Sequence, residues 1–172
     1  MSADAPRPTH AGAPMRLVLQ LDLATLPEDP AVGLLQIFQG GGTQLARIVA
    51  ADAAPIADEG PAWNGRAIVG FSKAKADFPS VAHDPARTEG TLDDDQRATL
   101  RDLHLGGDKV GGWPDWLQDP VYPAHEGRTF DRLLVQLVGG RLVPADFGDA
   151  GHAYVFADPN DPSKVALVTQ SY

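Results

Sequence analysis

Two loops of this sequence concentrate the side chains that could do chemistry. The first, at 106–120, reads GGDKVGGWPDWLQDP, and the second, at 144–152, reads PADFGDAGH. Aromatic rings beside polar side chains are typical of binding surfaces, because such rings supply much of the affinity of an interface. The candidate ligand- or partner-binding residues are therefore those of the two loops and one strand position between them: Lys109, Trp113, Trp116, Gln118, Gln136, Asp149 and His152.

The first loop has the chemistry of a tight bend that carries aromatic side chains. Gly111 and Gly112 permit backbone conformations that other residues rarely adopt. Pro114 pushes Trp113 toward an extended conformation, so we expect Trp113 and Trp116 on one side of the loop. There they either plug a small core or line a groove. The glycine spacing of a phosphate-binding loop is present, but Gly112 and Trp113 stand where Lys and Ser/Thr are required.

The second loop supplies carboxylates for an alternative, enzymatic interpretation. Asp119, Asp146 and Asp149 lie in or beside the two loops, and paired carboxylates can hydrolyse glycosidic bonds. Tryptophans could stack on a sugar, while Gln136 and His152 bond its hydroxyls or transfer protons. The same carboxylates also suit the capping of turns, and we expect Asp149 to form an Asx turn with the backbone that follows it.

Other catalytic and metal-binding motifs fail. The sequence has no cysteine, which excludes thiolate chemistry and disulfides. The spacing of the five histidines matches no zinc motif, and neither a nucleophile elbow nor a dinucleotide-binding motif is found. We therefore assign no catalytic residue, no metal and no cofactor.

Charge and hydropathy limit the partners. The formal net charge is −9 and no run of lysine or arginine occurs, which argues against nucleic acid and against an anionic membrane surface. A basic protein partner remains allowed. No apolar run reaches the roughly 20 residues of a membrane helix, and the N-terminus lacks the apolar region of a signal peptide. We expect a cytoplasmic protein with a disordered tail at 1–14.

Short apolar runs between turn residues predict a mainly β protein. The predicted strands lie at 15–22, 33–39, 43–50, 65–72, 132–138, 152–158 and 164–171. One helix is expected, capped by Thr91 with Asp94 three positions later, and ended by the glycines at 106–107. The pattern predicts one α+β domain at 15–172, mostly antiparallel sheet with one or two short helices.

An internal repeat relates the two ends of that domain. RLVLQL at 16–21 matches RLLVQL at 132–137, and GLLQIF at 33–38 matches GHAYVF at 151–156 in the same order. We interpret the pairs as two duplicated β units, at about 15–72 and 109–172. Gln20 and Gln136 then occupy equivalent strand positions. Each amide either bonds a neighbouring loop, or the two share one pocket.

These segments, together with the closing VTQSY, resemble the YwqG-like family, a bacterial domain of unknown function. The resemblance covers about 15–172 and implies an α+β fold with duplicated β units but no established activity. The chain is shorter than usual at its N-terminus, and Phe147 stands where the family commonly has tryptophan. Some relatives are thought to lie near toxin and immunity genes, which implies a protein-binding role.

Two functions follow from these features. We predict a non-catalytic cytoplasmic binding module that recognises a protein partner, and the candidates for that partner are a basic protein and a protein connected with toxin immunity. The alternative is a protein that binds a small polar ligand or carbohydrate, or a hydrolase that uses the loop carboxylates.

Overall fold

The structure is a computed structural model. It describes residues 5–26, 33–53, 68, 72, 77–80, 84, 87, 93–141 and 143–172. The predicted strand at 65–72 lies outside the described residues except for 68 and 72, and the predicted cap Thr91 lies outside them as well.

The first sheet is a three-stranded antiparallel meander in the order β3-β4-β5. Its strands are β3 (Arg16–Asp22), β4 (Leu34–Gly40) and β5 (Thr43–Val49). Gly41 and Gly42 connect the last two with φ values of +57° and +77°. Two successive positive φ angles form the turn that matches the twist of a tight hairpin, and glycine adopts them without a Cβ penalty. The antiparallel sheet expected from the sequence is thereby confirmed for these three strands.

The second sheet has four antiparallel strands in the order β11-β10-β9-β6. They are β6 (Lys109–Val110), β9 (Arg132–Val138), β10 (His152–Ala157) and β11 (Val165–Gln170). The three long strands agree with the predicted ones to within one residue. The short strand β6 was not predicted, because two residues are too few to show a period.

Two small hairpins complete the β structure of the described residues. They are formed by β1 (Thr9–His10) with β2 (Ala13–Pro14), and by β7 (Ala124–His125) with β8 (Arg128–Thr129). The first lies where the composition led us to expect a disordered tail. Ala11 and Gly12, with φ values of +49° and +80°, make its turn. Alanine rarely adopts positive φ, so the sequence does not indicate this turn.

The α-helix of the described part, α1 (Asp94–Leu103), begins two residues later than expected. Its N-cap is Asp93 rather than Thr91, because the Asp93 carboxylate accepts a bond of 2.8 Å from the Gln96 amide. The Gln96 side chain in turn accepts from the Asp93 N–H at 3.0 Å, which closes a capping box. The helix ends at His104, before the predicted glycines.

Both sheets contribute to one hydrophobic core. Its buried strand residues are Val18, Leu19, Leu21, Leu35 and Ile37 from the first sheet, and Leu134, Val135, Leu137, Ala153 and Val155 from the second. The edge strands β5 and β11 lie next to each other. The described residues therefore form a mostly antiparallel β fold with one α-helix.

The two sheets have matching registers. Gln20 lies opposite Gln36 in the first sheet, and Gln136 lies opposite Tyr154 in the second. In both β3 and β9 the pairing shifts at the residue two positions before the glutamine. The positions aligned by the sequence repeat therefore occupy corresponding places in their sheets.

Candidate functional site

Gln136 holds the first loop, at 106–120, on the second sheet, and we call this segment the tryptophan loop. Its side chain is fully buried, its Oε1 accepts from the Asp115 N–H at 2.7 Å, and its Nε2 donates to the Gly107 carbonyl at 2.8 Å. A buried amide that satisfies two loop backbone groups matches the first of the two expected roles, the bonding of a neighbouring loop. A pocket shared with Gln20 does not form, because Gln20 is exposed.

The two tryptophans have different environments. Trp116 is 1 % exposed and packs against Tyr154 and Phe156, with ring centroids 4.6 and 5.7 Å apart. It is the plug of a small core. Trp113 is partly buried, and the Arg87 guanidinium lies 5.7 Å from its ring. The Arg87 guanidinium also lies 4.8 Å from the ring of Tyr122, which packs against Trp116, so the expectation that both indoles share one side stays a prediction.

Lys109 is bound inside the loop by a carboxylate that the sequence analysis missed. Its Nζ lies 3.0 Å from Asp77, and both side chains are 11 % exposed. Asp77 also accepts from the N–H groups of Leu105 and Trp113, at 3.0 and 2.8 Å. A Cβ on Gly112 would lie 2.1 Å from the Asp77 carboxylate, so only glycine allows this close approach. A single aspartate within a loop gave no sequence signal of this role.

His104 bonds two acceptors. Its Nδ1 lies 2.7 Å from the Phe78 carbonyl oxygen, and its Nε2 lies 3.1 Å from the Asp115 carboxylate. Both ring nitrogens can donate only when the imidazole is protonated. The bond to Asp115 accordingly raises the pKa of His104, and the same bond lowers the pKa of Asp115. Sequence reasoning had considered His104 only as a metal ligand.

Asp77, His104, Lys109 and Asp115 together form what we call the ion cluster. It places two carboxylates beside a lysine and a histidine, and His104 Nδ1 also lies 4.0 Å from Asp77. The cluster connects residues 77–78 to both ends of the tryptophan loop. Because these groups bond one another and the loop backbone, their arrangement is that of a structural clamp.

The ion cluster predicts a pH dependence of stability. A raised folded-state pKa of His104 adds stability that is complete below its unfolded value of about 6.5 and is lost as the pH rises through the folded value. The lowered pKa of Asp115 adds stability that is complete above about 3.9 and is lost as the pH falls through the folded value. The contribution of the pair is therefore largest between about pH 4 and 6.5.

We expect the free energy of urea unfolding to fall between pH 5.5 and pH 8.5, and His104→Gln to remove most of that fall. His125→Gln is the matched control, because the His125 side chain is 67 % exposed. An unchanged pH dependence in His104→Gln would contradict the assignment.

His152 and Tyr154 secure the same loop from the strand below. The Tyr154 hydroxyl donates to the Asp115 carbonyl at 2.7 Å, and His152 Nδ1 lies 3.3 Å from that carbonyl and 3.3 Å from the hydroxyl. Both side chains are buried, and burial raises the pKa of Tyr154. His152 is therefore placed under the loop and not on its outer surface.

The second loop, at 144–152, is stabilised by a different aspartate from the expected one. Asp146, not Asp149, makes the Asx turn, because its carboxylate accepts from the Gly148 N–H at 2.9 Å. The Asp149 side chain is exposed. Both residues precede a glycine by two or fewer positions, so composition alone does not distinguish them.

The two loops meet beside the end of β11. The Gln118 side chain donates to the Ser171 carbonyl at 2.7 Å, and the Tyr172 N–H donates to the Asp149 carbonyl at 3.2 Å. The Gln170 amide, which is buried, also donates to the Asp119 carbonyl at 2.8 Å. We call the exposed residues at this place the loop junction: Gln118, Asp119, Asp149 and Tyr172.

The predicted site residues therefore separate into two groups. Lys109, Trp116, Gln136 and His152 are engaged in the interior, and Trp113 is partly buried. Gln118 and Asp149 remain exposed, and each residue contacts the Ser171–Tyr172 segment. In the described part of the chain no group of three or more His, Cys, Asp or Glu side chains is arranged to hold a metal ion. The helices of that part are too short to cross a membrane.

The fold and the site define a mostly antiparallel β domain whose two special loops are clamped onto one sheet. The chain belongs to the family described as Domain of unknown function (DUF1963), whose model matches residues 1–166. The matched range includes the N-terminal hairpin. The family description names no activity and does not carry the YwqG-like name. The comparison with curated proteins gives no match.

Proposed function

We propose that this domain is a non-catalytic binding module that recognises a basic segment of a protein partner at the loop junction. The observation that supports this most is that the two loops have both inner side chains, which are bonded, and exposed side chains. Their inner side chains bond loop backbone, whereas Gln118, Asp119 and Asp149 are exposed where the two loops contact residues 170–172. A preorganised surface loses little conformational entropy on binding, which favours recognition.

The engagement of the inner polar groups speaks for binding rather than catalysis. A general base needs a free lone pair within reach of a substrate proton. Both His104 nitrogens lie within hydrogen-bond distance of an oxygen acceptor, Lys109 is paired with Asp77, and Gln136 bonds two backbone groups. The carbohydrate alternative has less support, because Trp116 is buried and presents no face to a sugar.

Charge favours a basic partner. The chain has a formal net charge of −9, and Asp119 and Asp149 add carboxylates at the loop junction. Complementary charge accelerates association and discriminates against acidic proteins. A cytoplasmic immunity protein of the YwqG-like kind would use such a surface to bind its partner.

The same proposal includes a duplicated β unit as the scaffold. Its support is the agreement of three features between the sheets: the aligned sequences, the glutamine registers and the position of the register shift. A register shift moves every later side chain relative to its partner strand, so an identical shift in two unrelated meanders would be a coincidence. Only the second unit carries the loops of the proposed surface.

The test reverses one charge at the loop junction. We expect Asp149→Lys to cross-link none of the partner proteins that wild type cross-links, as quantitative mass spectrometry measures. Its unfolding free energy should change by no more than about 0.5 kcal/mol. Asp102→Lys, on the exposed face of α1, makes the same charge change elsewhere and should retain them. Equal recovery from the two variants would exclude the loop junction as the binding surface.

A further inference from the structure

The outer face of the first sheet carries a chain of hydrogen bonds across its three strands. Gln20, Gln36 and Arg47 lie opposite one another on β3, β4 and β5. Arg47 Nε donates to Gln36 Oε1 at 2.9 Å, and Gln36 Nε2 donates to Gln20 Oε1 at 2.9 Å. We call these three residues the polar ladder. Both hydrogen bonds are oriented in the same direction, from Arg47 through Gln36 to Gln20, and each bond in such a chain strengthens the next.

Arg47 uses the rest of its guanidinium to hold the backbone of residues 5–6. Nη1 donates to the Pro6 carbonyl at 2.8 Å and Nη2 to the Ala5 carbonyl at 3.0 Å. The guanidinium carbon lies 4.9 Å from the ring centroid of Phe38, which is completely buried. An arginine fixed between an aromatic ring and two consecutive carbonyls recognises a main-chain path rather than a particular side chain.

The segment bound there has the sequence Ala-Pro-Arg-Pro, residues 5–8. Proline lacks an N–H and favours the polyproline conformation, in which the carbonyls point outward and are free to accept. Aromatic grooves commonly recognise such segments, because little conformational entropy remains to be lost. The bound sequence and the donors of the polar ladder are thus chemically matched.

The corresponding face of the second sheet also holds a backbone segment. There Tyr154 and Val168 occupy the places of Gln36 and Arg47. Tyr154 donates to the Asp115 carbonyl, and Gln136 accepts from the Asp115 N–H. In the second sheet the segment is an internal loop, whereas in the first it is a short stretch that precedes the first hairpin.

An open groove of about 480 Å³ adjoins Arg47. It follows the seam between β5 and β11, and its lining includes Ile48, Phe130, Lys164 and Val165. A segment longer than residues 5–8 has room to continue along this seam and to contact apolar surface.

We propose that the polar ladder and the adjoining groove are a docking site for an extended proline-containing segment of a partner protein, with residues 5–8 bound to it in cis as a competitor. The site is separate from the loop junction. A partner binds with an apparent affinity reduced by the fraction of molecules in which the cis segment occupies the ladder.

The test uses the full chain and a fluorescent peptide, ADAPRPT, which copies residues 3–9. Pro6→Gly/Pro8→Gly in the protein weakens the cis segment, so we expect it to bind the peptide about fivefold or more tightly than wild type does. The peptide ADAGRGT should bind weakly to both proteins. Fluorescence anisotropy gives the dissociation constants.

Arg47 supplies the second arm of the test. In the glycine background, Arg47→Lys keeps the charge over Phe38 but loses the planar fork, and we expect peptide affinity to fall about tenfold. Arg101→Lys, on the exposed face of α1, is the matched control and should bind normally. Gln20→Leu, at the exposed end of the ladder, tests the site with little effect on folding and should also weaken binding.

Three results of the binding measurements would overturn the proposal. They are the absence of peptide binding to the glycine variant, equal binding of the proline and glycine peptides, and equal losses in the Arg47 and Arg101 variants. A wild-type dimer that Arg47→Lys dissociates, without peptide binding, would also overturn it, because the site would then serve the exchange of segments between two copies.

Discussion

Trp116→Ala is expected to reduce the free energy of unfolding by about 3–5 kcal/mol, the usual cost of removing a buried aromatic side chain. Trp116 is 1 % exposed and contacts the rings of Tyr122, Tyr154 and Phe156. Its removal leaves a cavity that these large rings cannot close without leaving their own packing positions. Urea denaturation followed by circular dichroism measures the change.

Trp113→Ala is the matched control for that experiment. Trp113 belongs to the same loop and has the same side chain, but it is only partly buried and contacts Arg87 through its ring face. We expect a cost of about 1 kcal/mol. Similar costs for the two variants would show that Trp116 is not the plug of the second sheet. A binding defect in Trp116→Ala would report lost structure and not a lost contact.

Gln136→Leu is expected to cost about 3 kcal/mol although the leucine has a similar volume and is more apolar. The substitution leaves the Asp115 N–H and the Gly107 carbonyl without their partner, and each unsatisfied buried group costs about 1–3 kcal/mol. Hydrogen exchange offers a local readout. The Asp115 amide should lose protection by a larger factor than the amides in the centre of β10.

Gln20→Leu controls for the nature of the substitution. Gln20 holds the equivalent position of the sequence repeat but is exposed, so we expect a cost of less than about 1 kcal/mol. Equal costs at the two positions would mean that the Gln136 amide does not hold the loop. A difference would show that two positions alike in sequence have acquired different roles through what covers them.

Strand positions were accessible from the sequence because they depend on local pattern. β9 has the predicted bounds, β3, β5 and β10 differ from the predicted strands by one residue at one end, and β4 and β11 differ by one residue at both ends. Alternation and the Gly-rich turns are short-range signals. The N-terminal hairpin, the Asp93 cap and the Asp146 turn were missed, because in each case several nearby residues could serve and packing selected one.

The candidate site was predictable as two loops but not as an arrangement. Asp77 lies 32 positions before Lys109, and His104 belongs to no recognisable motif, yet both residues complete the ion cluster. Carboxylates and histidines in loops are common, and no spacing rule indicates which of them will face one another. The exposure of Gln118 and the burial of His152 also depended on strands that are distant in the chain.

The sequence alone determined the β-rich character and the strand positions, since these follow from apolar alternation and turn residues within about ten positions of each other. It also showed the glutamine repeat, because the two distant segments can be compared directly. Only the tertiary structure decided which face of each sheet is covered, and by which segment. That choice places Gln136 under a loop and leaves Gln20 at an open edge of the polar ladder. Burial is a property of the whole fold, so the glutamine at the same position of the repeat binds loop backbone in one sheet and accepts a hydrogen bond at the exposed end of the polar ladder in the other.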